Sequence, residues 1–347
     1  MAGAQHVGGV TRDDVARLAG VSSATVSRAY NRPAAVSEPK RQRIHEVAKT
    51  LGYQPDLNAS GLRRKGGGAI LLILPAPAVA DNRESRVYRW FYGEALINAM
   101  AAVEGGSHSL RIGLWDRQEP VRRFLARHEC AGVVFGLGTG DPTVRLAVRE
   151  LGLPHVFCSQ MKTLPGANLC YIDEVAGGAL AARALRKTGR RRLAHLTGAL
   201  AQNAVCAARW QGFREQVHRD GCEPVLIDGE LGIAGGRLSA LKLAPLVKRG
   251  KVDGLFVVND LTAVGVMQGL LEAGVDIPGQ LALVAYDNLP FRETAPVGMA
   301  SIDVSLGRLY GTAVGLLAAI LRGEIPEGEI RRQAVTPVLV AGPSLPL

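Results

Sequence analysis

Residues 14–31 read DVARLAGVSSATVSRAYN, and the spacing inside this stretch decides what the first part of the chain is. Ala16 is small where two helices must cross, Gly20 permits a left-handed turn between them, and Val26 points from the second helix into a shared core. Upstream, Thr11 with Asp14 three residues on forms a capping-box pair that starts a helix from about Arg12 to Ala19, with Gly20 suited to its C-terminal cap. Ser22 caps a second helix that reaches about Tyr30. With Val15, Leu18, Val21 and Val26 buried, the second helix presents Ser23, Ala24, Ser27 and Arg28 outward. Small polar residues and one Arg on such a face suit entry into the DNA major groove, where Arg reads guanine bidentately.

Working outward, a third helix begins after Ser37, with Glu38 and Pro39 in its first turn, and runs to Leu51 before Gly52. Residues 55–64 form a weak fourth helical pattern, and Lys65-Gly66-Gly67-Gly68 is a flexible joint. Residues 1–9 are small and polar and read as a disordered tail. Charge supports the division: residues 1–65 hold 11 Lys and Arg against 5 Asp and Glu, so +6 of the formal +10 lies there and +4 in the remaining 282 residues. A basic head on a nearly neutral body is the electrostatic footprint of a nucleic-acid-binding unit joined to something else.

From Val10 to Asn31 the chain reads VTRDDVARLAGVSSATVSRAYN. This resembles the opening of the LacI-type (lactose-repressor) family of bacterial transcription regulators, V-T-x-x-D-V-A-x-x-A-G-V-S-x-x-T-V-S-R-x-x-N, and the match continues through VSEPKRQRIHEVAKTLGYQPD. The resemblance implies a helix-turn-helix DNA-binding domain over 10–54, with Ser23, Ala24 and Arg28 on base-reading positions and Thr25, Ser27, Asn31 and Ser37 on phosphate-contacting ones. It implies a hinge helix within 55–68 that folds on the operator and wedges Leu62, beside Ala59, into the minor groove. Gly61 weakens that helix by about 1 kcal/mol relative to Ala, and Asp56 and Ser60 also depart from the family pattern.

Beyond residue 69 short apolar runs alternate with helical stretches. AILLILP, SLRIGLW, GVVFGL, PHVFCS, ANLCYID, RRLAHLTG, EPVLIDG, GLFVVN and LALVAYDN have the pattern of strands buried on both faces of a parallel sheet. Helical stretches near 91–103, 144–151, 175–188, 210–220 and 261–273 separate many of them, which defines an α/β body. The family resemblance implies two doubly wound lobes of the type I periplasmic-binding-protein-like fold. The first comprises about 69–171 and 302–331, the second about 172–301 and 332–343. An effector would bind in the cleft at the carboxyl ends of the strands.

The effector residues so implied are Arg209 of CAARWQGFRE, Asn259 of VVNDLTAVG and Asp287 of VAYDNLP. A forked cation, an amide and a carboxylate together donate to and accept from neighbouring hydroxyls, which suits a polyhydroxylated ligand such as a sugar or related metabolite. Read singly, each has a structural alternative: Arg209 as one half of a surface ion pair, Asn259 as the cap of the helix near Leu261, and Asp287 as a loop cap. Ser159 stands where the family carries a strand-end Asp, Trp90, Phe91 and Tyr92 lie near its aromatic positions, and Leu231 replaces an aromatic. The expected assembly is a homodimer reading a near-palindromic double-stranded operator.

Other classes fit less well. The longest apolar stretches, 69–80 and 311–321, are shorter than the ~18 residues a membrane helix needs, and the N-terminus has no basic segment followed by an apolar run. A cytoplasmic, nucleoid-associated protein without a membrane partner is therefore expected, rather than an exported solute-binding protein. The five cysteines are scattered without C-x-x-C or a neighbouring His at ligand spacing, so neither a metal nor a disulfide framework is expected. Gly136, Gly138 and Gly140 give G-x-G-x-G, without the third glycine at the spacing that a dinucleotide loop requires. SQMK at Ser159 to Lys162 fits S-x-x-K without its partner motifs. No enzyme and no cofactor are expected.

Overall fold

The computed structural model describes residues 11–31, 35–51, 53, 68–76, 83–140, 142–160, 164–326 and 328–346. The N-terminal tail, Val10, the weak helix and hinge with Ala59 and Leu62, and residues 161–163 lie outside them. The side chains of Ser27 and Asn31 and of 83–91, which include Trp90 and Phe91, are also outside. The chain divides into two compact units at Gly68 and Ala69.

The first unit contains α1 (Arg12–Ala19), α2 (Ser23–Asn31) and α3 (Glu38–Leu51). Thr11 and Asp14 form the expected reciprocal capping box, and Gly20 closes α1 at φ 66°, a conformation that glycine adopts without steric cost. The Ser22 hydroxyl accepts from the Thr25 amide at 3.2 Å and starts α2. Val15, Ala16, Ala19, Val26, Ala29, Val36, Ile44 and Ala48 form the core, with Val21 packed against it. Leu18 departs from expectation: it is 55% exposed. Successive helical positions turn by about 100°, so with Val15, Ala16 and Ala19 facing α2 and α3, Leu18 is carried around to solvent.

The body has two six-stranded sheets. Sheet one runs β11-β5-β4-β3-β1-β2 and sheet two β12-β10-β9-β8-β6-β7. The first holds β1 (Gly68–Pro75), β2 (His108–Trp115), β3 (Gly132–Phe135), β4 (His155–Ser159), β5 (Leu169–Ile172) and β11 (Arg332–Val335). The second holds β6 (Leu193–Thr197), β7 (Val225–Asp228), β8 (Gly254–Val257), β9 (Ala282–Tyr286), β10 (Ala300–Asp303) and β12 (Val338–Val340). Every expected strand is present. β1, β3, β4, β6, β8 and β9 are buried along most of their length, but the edge strands β2 and β7 expose several residues, among them Leu114 and Val225, because an edge strand has a neighbour on one side alone.

In the first lobe lie α4 (Arg83–Ala101), α5 (Val121–Ala126), α6 (Pro142–Glu150) and α11 (Leu306–Leu321); in the second, α7 (Glu174–Lys187), α8 (Ala204–Arg219), α9 (Gly232–Lys248) and α10 (Asp260–Glu272). The chain passes between lobes after β5, after β10 and between β11 and β12. The last crossing corrects the expected boundary: β11 pairs in parallel with β5, so 332–335 belong to the first lobe, and the second lobe resumes at β12, antiparallel to β10. The crossings are tied together. Asp173 N donates to the Val335 carbonyl at 3.1 Å, and Arg308 Nη2 donates to Ser305 Oγ at 2.6 Å and to the Thr336 carbonyl at 3.1 Å.

Helices α7 and α8 cross through Gly178 and Gly212. A methyl group on Gly212 would overlap the Val175 carbonyl oxygen, and one on Gly178 would overlap that of Arg209. Gly212→Ala is therefore expected to destabilise the body by about 1–3 kcal/mol or more through overpacking. Around Gly315 in α11 there is open space, with nothing within 4 Å of where a methyl group would sit, so the same change there should gain up to about 1 kcal/mol through helix propensity. Thermal unfolding of the two variants should move in opposite directions; equal shifts would refute the packing explanation.

Candidate functional site

Four elements converge at the carboxyl ends of the second lobe's strands. α8 supplies Arg209, α7 supplies Glu174 directly after the β5 crossing, β9 ends on Tyr286 with Asp287 next in the chain, and Val258 and Asn259 follow the end of β8. Arg209 is 4% exposed and Glu174 2%. Arg209 Nε donates to Glu174 Oε2 at 2.8 Å and Nη2 to Oε1 at 3.2 Å, a bidentate pair, while Nη1 donates to the Val258 carbonyl at 2.6 Å. The guanidinium lies over the Tyr286 ring at 3.6 Å, and the Tyr286 hydroxyl donates to Glu174 Oε2 at 2.7 Å. Asp287 Oδ1 is 3.8 Å from Arg209 Nη2.

Burial penalises the Arg209 charge, but Glu174, Tyr286 and Asp287 more than offset it and hold the group firmly protonated. For Asp287, burial dominates and pushes its carboxyl well above the usual range, against the pull of Arg209. Arg209 thus has most of its donors committed to the protein. Asp287 is the member of the cluster that also lines a cleft of about 610 Å³. That cleft takes Glu94 and Asn98 of α4 and Leu306 to Arg308 of α11 from the first lobe, and Asp287 to Pro290 from the second.

The backbone around the cleft is strained. Asp287, Asn288 and Ser305 have φ of 112°, 54° and 50°, and they are the non-glycine residues with positive φ among those described. Such conformations cost of order 1–3 kcal/mol each and persist where the surroundings over-determine them. Here the bracing is visible. Buried Asp260 accepts from Leu289 N at 2.6 Å and from Ser301 Oγ at 2.7 Å, and Ser301 Oγ accepts from Asn288 N at 3.0 Å. Burial raises Asp260 to about 7 despite these bonds.

Of the residues singled out from sequence, Arg209 and Asp287 meet in this cluster and Asn259 is adjacent to it. Asn259 caps α10, accepting from Thr262 N at 2.8 Å. The capping alternative for Asn259 is therefore realised, whereas Arg209 is ion-paired in the interior rather than at the surface, because α7 and α8 bring Glu174 against it. Ser159 ends β4, half-buried, in register with Tyr171. Tyr92 packs against the core spanning the lobes, and burial raises its phenol. Leu231 lines a second cavity of about 630 Å³ with Asn203, Asp228 and Lys242. Glu174, Tyr286 and Asp260 were missed. The first of these follows a strand-end Asp in YIDE, a signal that sequence carries but that gains meaning only when the crossing sets it opposite α8.

In the head, Ala24 and Arg28 are exposed on α2, Ser23 and Thr25 are half-buried, and Ser37 is exposed before α3. Thr25 Oγ1 lies 2.9 Å from Ser22 Oγ. Among the described residues no group of three or more His, Cys, Asp or Glu is placed to hold a metal, and no helix is long and apolar enough to cross a membrane. All five cysteines are free thiols, buried or half-buried.

A three-helix head joined to a body of two doubly wound lobes, with its polar cluster at the strand ends, defines a regulator of helix-turn-helix type. Residues 11–56 match the family described as bacterial regulatory proteins, lacI family, and residues 182–345 match the periplasmic binding protein-like domain. Among relatives, the HTH-type transcriptional regulator GntR of Pseudomonas aeruginosa is 26% identical over 94% of this chain and 92% of its own. GalR of Escherichia coli is 29% identical over 80% of each. Among solved structures, a CelR–cellobiose complex covers 96% of this chain and 99% of its own at TM-score 0.64 and 25% identity. A lac repressor dimer bound to operator and anti-inducer matches in fold at TM-score 0.74, with 20% identity over 97% of this chain and 99% of its own. The chain thus carries a lacI-family helix-turn-helix domain and a periplasmic-binding-protein-like domain, and the relatives it matches along most of its length are DNA-binding transcriptional regulators rather than enzymes.

Proposed function

We propose that this chain is a transcriptional repressor that acts as a homodimer in the cytoplasm, on the nucleoid, and binds a near-palindromic operator with an affinity set by a small molecule held between the lobes. The observation that carries this reading is the joining, in one chain, of a helix-turn-helix head whose α2 shows Ala24 and Arg28 to solvent with a body whose lobes enclose a polar cleft. In the head, Ser23, Ala24 and Arg28 read bases. Thr25, Ser27, Asn31 and Ser37 contact phosphate, and Leu62 beside Ala59 enters the minor groove. In the body, Asp287 contacts the effector, Arg209 and Asn259 hold the site in place, and Ser159, Trp90, Phe91 and Tyr92 belong to the first lobe's side of the ligand.

The cleft's carboxylates, amides and Arg308 suit a polyhydroxylated effector, which donates and accepts at adjacent hydroxyls. The solved relative with cellobiose bound supports a sugar. The effector acts by changing the relation of the lobes, a coupling of typically about 1–3 kcal/mol. Arg28→Ala is expected to relax base preference at one operator position per half-site by about 1–3 kcal/mol. Competition gel shifts with duplexes mutated at each position would show it, and equal weakening on all sequences would remove Arg28 from the base-reading set.

A further inference from the structure

The base-reading set assigned above contains a single long side chain. Ser23 and Ala24, at the start of α2, are too short to span two acceptors on a base edge. The structure places a second arginine beside them. Arg12, in the first turn of α1, donates from Nε to Ser23 Oγ at 2.6 Å, bridging the two helices. Both residues are half-buried, and neither Nη group of Arg12 has a partner among the described residues. The neighbouring acid Asp14 is engaged elsewhere, by the Thr11 cap and by Arg17 at 2.7 Å.

We infer that Arg12 is a further specificity-determining residue, reading a guanine with its two Nη groups while Ser23 holds its Nε edge. This rests on the DNA-binding role of the head. In helix-turn-helix docking, the N-terminal residues of the second helix contact base edges, so a guanidinium anchored on Ser23 is held at that end of the helix. The Nη1 and Nη2 edge is the one left for a ligand, and it matches the paired O6 and N7 acceptors of guanine. Anchoring Nε fixes the plane of the fork before binding, so less rotamer freedom is lost when the base is engaged. Ala24, with no side chain beyond Cβ, leaves the adjacent space open.

The test uses the full chain. Wild-type protein first selects sites from a pool of duplexes with randomised centres; affinities of wild type, Arg12→Ala, Arg12→Lys and Ser23→Ala are then measured against every single-base variant of the selected site. Arg12→Ala should lose about 5- to 150-fold preference for guanine at one position of each half-site, leaving the other positions unchanged. Lys should not restore it, because it lacks the fork, and Ser23→Ala should give a smaller loss at the same position. Circular dichroism should show the head still folded, since Ala is a good helix former. A uniform loss on all sequences, rescued by Lys and with a salt dependence shallower by about one phosphate contact, would make Arg12 a backbone anchor and overturn the inference. Unchanged selectivity in Arg12→Ala would overturn it too. Should wild type itself select no sequence, the regulator role fails along with it.

Discussion

Arg209→Ala should lower the stability of the body by about 3–5 kcal/mol, because it leaves the buried Glu174 carboxylate without its cation. The loss has several parts: two charge-assisted bonds to Glu174, one bond to the Val258 carbonyl, and the stacking of the guanidinium on Tyr286. All of them join α8 to α7, β8 and β9, so the damage should spread to the whole second lobe. Equilibrium denaturation should show a lower midpoint. Removing both charges with Arg209→Met and Glu174→Gln should recover part of the loss, because no unpaired ion then remains. A change within about 0.5 kcal/mol, typical of surface sites, would contradict the bracing role. Loss of effector response in this variant says little about ligand contact, since the site itself collapses.

The cleaner probe of ligand sensing is Asp287→Asn. Asp287 sits at φ 112°, and Asn is among the few residues that tolerate positive φ, so the backbone can stay in place while one carboxyl oxygen is exchanged for an amide NH2 that can only donate. Operator binding without effector should be retained, whereas the effector-dependent change, of about 5- to 150-fold for a typical coupling, should be abolished. Anisotropy titrations with and without effector would show this. An intact response in Asp287→Asn would move the effector away from the cleft that Asp287 lines, with the cavity around Leu231 and Asp228 as its next place.

The head was readable because its steric demands are local. Thr11, Asp14, Ala16, Gly20 and Val26 each perform the role that their spacing requires, and only Leu18 faces the other way. Strands β1 to β9 were equally legible as short apolar runs. Three kinds of feature were not. Helix α9 carries Gly232, Gly235, Gly236 and Pro245, residues that read as breakers; Gly236 serves here to let α10 approach, since a methyl on it would overlap the Thr262 carbonyl. Strands β10 to β12 are only three or four residues long and owe their existence to pairing across crossings. The roles of Arg209 and Glu174 depend on 35 residues of separation being closed by the fold; sequence locates the arginine but not what occupies its fork.

The most direct test of a ligand-controlled, sequence-specific DNA-binding protein is fluorescence anisotropy of the full chain on a duplex it has selected. It is compared with a scrambled duplex at the same salt, and repeated across a panel of sugars and related polyhydroxylated metabolites. The expected result is a preference of about 10³-fold or more for the selected duplex, moved by about 5- to 150-fold by at least one of these compounds in wild type and unmoved in Asp287→Asn. Equal affinity for both duplexes, with no compound altering either, would contradict the account.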